Sequence, residues 1–180
     1  KRKRPMPRFA ANLSMMFNEV PFFDRFEAAA KAGFDAVEFL FPYEHSPEEI
    51  GSRLHGNGLT QALFNLFPGD WNKGERGFAA LPERFADVQA SVKQALPYAK
   101  ATGVKRLHLM AGIADRRDPR AVDAFCRSVV WVAESLAREN IDLMLEPINP
   151  RDVPGYFLND FDFAAGVISD LNIPNLKLQF

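Results

Sequence analysis

Glu146 closes the apolar run Leu143-Met144-Leu145 and is followed at once by Pro147, which has no N–H to carry strand pairing further. A carboxylate at such a strand end, with apolar side chains behind it, can serve as a general base with a raised pKa. It can also offer oxygens to a hard divalent cation, or simply be an ion-paired structural glutamate. His108 lies within Leu107-His108-Leu109-Met110, where an imidazole is either a hydrogen-bonded core residue or a group facing a ligand. Glu38, within Val37-Glu38-Phe39, is a carboxylate that must find a partner. Asn12, Ser14, Asn65 and Asn149 are the remaining polar residues beside apolar runs. Ser/His/Asp triads, HExxH and phosphate-binding glycine loops are absent.

These residues need elements to hold them. Apolar strand-like runs occur at 8–13, 36–41, 59–67, 104–110, 141–146 and 175–180. Helices are expected between them. One runs from Pro21 to Lys31; a second starts at Ser46-Pro47-Glu48-Glu49, which has the spacing of a capping box. A third spans Pro82 to Ala101 with Pro97 expected to kink it, a fourth opens at Asp118-Pro119, and a fifth is capped by Asn159 or Asp160. Regular alternation of strand and helix with mostly apolar strands predicts an α/β fold with a parallel sheet covered by helices. No G-x-G-x-x-G follows the first strand, so a (β/α)₈ barrel is preferred over a dinucleotide-binding sheet. In a barrel the strands' C-terminal ends carry the active site, and Asn12, Glu38, Asn65, His108, Glu146 and Asn149 all fall there. The glycine-rich stretch Pro68 to Gly77 reads as a lid hinged on its glycines with Trp71 as an apolar cover, or as a surface loop.

The 180 residues carry 22 basic and 23 acidic side chains for a net charge of −1, which argues against a nucleic-acid partner. No apolar run reaches the roughly 20 residues of a membrane span. The single cysteine, Cys126, excludes an intrachain disulfide framework, suits a cytoplasmic setting and is expected to be buried and inert. Lys1-Arg2-Lys3-Arg4-Pro5 reads as a basic extension ahead of a natural start at Met6, with one barrel domain over 6–180. Six strands stand where a barrel has eight, and such barrels run to about 250 residues, so a barrel truncated after its sixth strand is expected. An open barrel exposes strand edges and would associate, pointing to a homo-oligomer.

Several segments together resemble the hydroxypyruvate isomerase family. They are Arg8-Phe9-Ala10-Ala11-Asn12-Leu13-Ser14, Pro68-Gly69-Asp70 with Gly74-Glu75 and Gly77, Leu107-His108-Leu109-Met110-Ala111-Gly112, Leu145-Glu146-Pro147-Ile148-Asn149, Tyr156-Phe157-Leu158 and Asn175 to Gln179. The closely related 2-oxo-tetronate isomerases share much of this pattern. The resemblance implies a xylose-isomerase-like (β/α)₈ barrel that interconverts hydroxypyruvate and 2-hydroxy-3-oxopropanoate through an ene-diol. It implies two acid/base glutamates, the first matching Glu146, and a divalent Mg or Mn ion with Glu146 among its ligands. No nucleotide cofactor is implied. Asn65, His108 and Asn149 are then expected to bind the small hydroxy-carbonyl acid substrate. The family pattern continues beyond Phe180 with an aspartate and a second glutamate, so one acid/base residue of the two is expected in this chain. A sugar epimerase using the same pocket, or a non-catalytic association module, are the alternatives.

Overall fold

The computed structural model describes residues 7–180; the basic run at 1–5 and Met6 lie outside them. Seven short strands and five helices follow in the order β1 (Ala10–Asn12), α1 (Asp24–Lys31), β2 (Ala36–Glu38), α2 (Pro47–Gly56), β3 (Thr60–Gln61), β4 (Phe64–Asn65), α3 (Phe85–Thr102), β5 (Arg106–His108), α4 (Pro119–Ala137), β6 (Asp142–Leu145), α5 (Phe161–Leu171) and β7 (Leu176–Leu178). All strand pairs are parallel. They form the ladders β1-β2-β3 and β4-β5-β6-β7.

The single run expected at 59–67 is the joint between these ladders. Its first half, β3, pairs with β2 (Val37↔Gln61) and its second half, β4, pairs with β5 (Asn65↔His108). Ala62 N–H donates to the Val37 carbonyl at 2.8 Å and Asn65 N–H to the Leu40 carbonyl at 2.9 Å, so the wall is continuous although the partner changes. The result is an open parallel wall of six strand positions with helices outside.

Local chemistry sets most helix ends. The Ser46 hydroxyl accepts from Glu49 N–H while the Glu49 carboxylate accepts from Ser46 N–H, completing the predicted capping box of α2. Asp118 caps α4 ahead of Pro119, and Asp160, not Asn159, caps α5 through Phe163 N–H at 2.7 Å. The first helix starts at Asp24 rather than Pro21. Phe22 and Phe23 form a turn instead, their rings against His45 at 5.0 and 4.5 Å. Pro97 sits inside α3, which nonetheless continues to Thr102 before Gly103 turns left-handed.

The core lies between sheet and helices. Phe26, Ile50, Phe64, Leu107, Phe125, Leu136, Leu143 and Leu145 are fully enclosed there. Each such side chain contributes roughly 1.5–3 kcal/mol by leaving water, enough to fix the strand ends as a rigid rim. Among the described residues no helix is long and apolar enough to cross a membrane.

Candidate functional site

The C-terminal rim of the sheet encloses a cavity of about 380 Å³. Asn12, Glu38, Asn65 and His108 are the last residues of β1, β2, β4 and β5, while Glu146 and Gln179 follow directly on β6 and β7. Side chains alternate across a strand, so Ala11, Val37, Phe64 and Leu107 enter the core while their neighbours in sequence face inward. The parallel register sets Asn12 beside Glu38 and Asn65 beside His108. All six rim residues line the cavity, and Trp71 covers part of it.

Two carboxyl groups share this space. Glu146 is pushed above the usual carboxylate range chiefly by burial and further by the charge of Glu38. Burial raises Glu38 as well, and the hydrogen bond from Asn12 Nδ2 to its Oε1 at 3.0 Å counters part of that rise. Asn12 is itself anchored, its Oδ1 accepting from Ser14 N–H at 3.0 Å. No Lys or Arg among the described residues pairs with Glu38 or Glu146.

His108 is 1% exposed and burial drives its pKa down to about 4, which leaves the imidazole neutral near pH 7. Its Nδ1 stands 3.8 Å from Glu146 Oε2, too far for a hydrogen bond. Neither ring nitrogen has a partner among the described residues. The hydrogen-bonded core histidine is therefore not what the fold contains: one donor and one acceptor are held dry at the cavity edge. Gln179 adds to the same corner, donating from Nε2 to Glu146 Oε2 at 3.3 Å while its Oε1 is unpartnered. Below them the buried Tyr156 hydroxyl accepts from Ala111 N–H at 2.8 Å. Burial raises that phenol, the Ala111 bond opposes the rise, and the Glu146 charge adds to it.

The residues singled out by sequence thus converge, with one difference in kind. Asn149 lies at the cavity rim but is exposed, and its carboxamide serves its own loop. Oδ1 accepts from Arg151 and Asp152 N–H, each at 3.0 Å, and Nδ2 donates to Asp152 Oδ2 at 2.6 Å. Ser14 is a strut whose hydroxyl accepts from Leu40 N–H at 2.9 Å. Gln179 was not picked out by pattern, because a glutamine ending an alternating strand looks like any solvent-facing residue. Cys126 is half-buried rather than enclosed, and burial raises its thiol pKa. Among the described residues no three His, Cys, Asp or Glu side chains are grouped so as to hold a metal ion.

The chain matches the family described as xylose isomerase-like TIM barrel over residues 26–180. It is 52% identical over 177 residues to the 2-oxo-tetronate isomerase of Cupriavidus necator, covering 97% of this chain and 68% of that protein. Against the hydroxypyruvate isomerase of Escherichia coli K12 the identity is 40% over 177 residues, with 97% and 69% covered. A solved structure titled AP endonuclease, family 2, from Brucella melitensis superposes with a TM-score of 0.94 at 46% identity, over 97% of this chain and 68% of that one. The D-psicose 3-epimerase of Clostridium cellulolyticum H10 shares the fold alone, at TM-score 0.60 and 17% identity over 88% of this chain and 57% of that one.

Proposed function

The chain belongs to the xylose isomerase-like TIM-barrel family, and on that premise we propose that it isomerises a small 2-oxo hydroxy acid by moving a proton between adjacent carbons. Hydroxypyruvate, going to 2-hydroxy-3-oxopropanoate, is the three-carbon reading. The 52% identical relative named for 2-oxo-tetronate supports the four-carbon acid as the second. The observation that carries the proposal is the meeting of Glu146 with a buried, neutral His108 at 3.8 Å inside the rim cavity.

Glu146 has the part of the base. Its carboxylate takes the proton from the carbon beside the carbonyl, and that C–H electron pair forms the carbon–carbon double bond while the carbonyl oxygen becomes the oxyanion of an ene-diol. Return of the proton to the former carbonyl carbon, while the neighbouring hydroxyl proton passes to the oxyanion oxygen and that hydroxyl becomes the new carbonyl, completes the exchange. One carbon is oxidised as the other is reduced, so no external redox partner is consumed. Burial, which holds the Glu146 pKa up, makes the carboxylate a better proton acceptor once ionised. A neutral imidazole N–H at His108 can donate to the developing oxyanion without giving its proton away, and the Asn65 carboxamide binds the substrate beside it. No step here runs through a metal ion.

The test is isomerisation of hydroxypyruvate and 2-oxo-tetronates in D₂O, followed by NMR for deuterium entering the carbon next to the carbonyl. Glu146→Gln should lower turnover by about 10²–10⁴-fold with the melting temperature kept. Normal turnover by a folded Glu146→Gln protein refutes the role given to this residue.

A further inference from the structure

The cavity poses a problem for an acidic substrate. Among the described residues three carboxylates line it and no Lys or Arg does. These carboxylates repel the substrate's own, which favours poses that turn it away from them. In a four-carbon 2-oxo acid the carboxylate and the terminal hydroxymethyl group lie on opposite sides of the two reacting carbons. With those carbons beside Glu146 and the carboxylate turned outward, the terminal hydroxyl is pressed toward the β1, β2 and β4 ends. A three-carbon acid has no group to place there.

That part of the rim is built to receive a hydroxyl. Glu38 uses only one oxygen, Oε1, in its bond from Asn12, so Oε2 is available as an acceptor. Asn12 is in turn fixed by Ser14 N–H, which holds the carboxylate in one orientation before any ligand arrives. The Asn65 side chain is buried and makes no hydrogen bond to the described residues, whereas its backbone carbonyl is taken by the Tyr43 hydroxyl at 2.8 Å. Its donor and acceptor are therefore free for a ligand. A hydroxyl that donates to Glu38 Oε2 and bonds to the Asn65 carboxamide engages both open groups at once.

We propose that the Asn12-held carboxylate of Glu38, together with Asn65, is the specificity-determining receptor for the terminal hydroxyl of a four-carbon substrate. This rests on the isomerase reading above and names the substrate class for the same site. A site that hydrogen-bonds a substrate hydroxyl disfavours the analogue lacking it because its own groups are left unpaired.

The experiment compares kcat/KM for a 2-oxo-tetronate and for hydroxypyruvate in the intact protein and in Glu38→Ala, Glu38→Gln and Asn12→Ala. Glu38→Ala is expected to lower both values, and to lower the four-carbon value further, so that the four-to-three-carbon ratio falls at least about tenfold. Glu38→Gln retains an oxygen acceptor and should keep part of that ratio. Asn12→Ala, which only frees Glu38 to move, should lower it least. A parallel arm measures calorimetric binding of threonate and glycerate, four- and three-carbon acids with no carbonyl to react. Glu38→Ala should weaken threonate more than glycerate. Equal loss on both substrates and both acids overturns the proposal. Unmodified protein that turns over neither substrate refutes the isomerase reading, while the binding arm still decides whether Glu38 reads the fourth carbon's hydroxyl. Melting curves identify any variant that fails to fold.

Discussion

The loop from Pro68 to Gly77 and the ring of strand ends beneath it border the same cavity and treat their polar groups in opposite ways. In the loop nearly every one is used. The Asp70 carboxylate accepts from Asn72 and Lys73 N–H at 3.0 and 3.3 Å, and Glu75 accepts from Asp70 N–H at 2.6 Å and from Arg84 at 2.8 Å. Arg76 donates to the Trp71 and Glu75 carbonyls, and its guanidinium lies 3.7 Å from the centre of the Trp71 ring. In the ring, His108 has two idle nitrogens, Gln179 an idle oxygen, and Asn65 and Glu38 open positions. A satisfied network fixes shape, whereas a buried unsatisfied one is poised for a ligand. The loop is thus an internally bonded cover presenting Trp71 to the cavity.

The strongest way to break that contrast is to disturb the cover's seat. Gly77 has φ +103°, and a Cβ there would stand 2.1 Å from the Met110 carbonyl oxygen. This is the point where the loop docks onto the segment after β5, through the bridge to Ala111. Gly77→Ala should cost about 3 kcal/mol or more, from left-handed strain and from parting two backbones. Gly74, at φ +85°, has nothing within 4 Å of its Cβ position. Gly74→Ala should therefore cost only about 1–2 kcal/mol, for conformation alone. Urea unfolding of the two variants decides it, and equal losses would mean that close docking at Gly77 contributes nothing.

The ring can be probed through acid. Unfolded, His108 takes a proton below its ordinary value of 6.5, but folded it stays neutral down to about 4. Between those values the unfolded chain binds a proton that the native protein does not, so stability declines as pH falls, by about 3 kcal/mol in full. Glu38 and Glu146, raised by burial, act in the opposite sense, since acid relieves the cost of their charges. His108→Leu should remove the acid-side decline, leave the carboxylate contribution, and hold or raise stability near pH 7 by removing two unpaired nitrogens. Melting temperatures of both proteins from pH 7 to 4 give the comparison. Parallel curves would show that His108 is not the titrating group.

How far the two regions could be read in advance follows from the same physics. Glu38, Asn65, His108 and Glu146 show because a polar residue ending an apolar strand is costly and hence conspicuous. Gln179 does not, since β7 alternates Lys177 and Gln179 with leucines as a half-exposed strand would. Asn149 looked the same as the others by position, but whether an asparagine caps its own loop or faces a ligand depends on backbone angles that spacing does not reveal. The split of the third strand was equally hidden, because apolar pattern reports burial and not which neighbour a strand pairs with. The parallel sheet was legible from alternation, and its barrel form from the missing G-x-G-x-x-G together with the family resemblance.

The smallest expected effect sharpens the contrast from the loop side. Glu75 lies below the usual carboxylate range, first through the Asp70 N–H bond and then through Arg84. Its side chain is 30% exposed, so water screens both contacts and the stabilisation is modest. Glu75→Gln keeps the shape and one acceptor oxygen but removes the charge, and should cost about 1 kcal/mol. Because the folded pKa is depressed, that contribution is present above the ordinary value of 4.5 and disappears as pH falls through the lowered folded value. The variant and the parent should therefore differ near pH 7 and converge in strong acid. Trp71 keeps its contacts with Phe41 at 5.3 Å and Arg76 at 3.7 Å, so substrate KM should move less than twofold or so even as stability drops. A large rise in KM with little loss of stability would reverse the assignment, making Glu75 part of the receptive ring rather than of the self-satisfied cover.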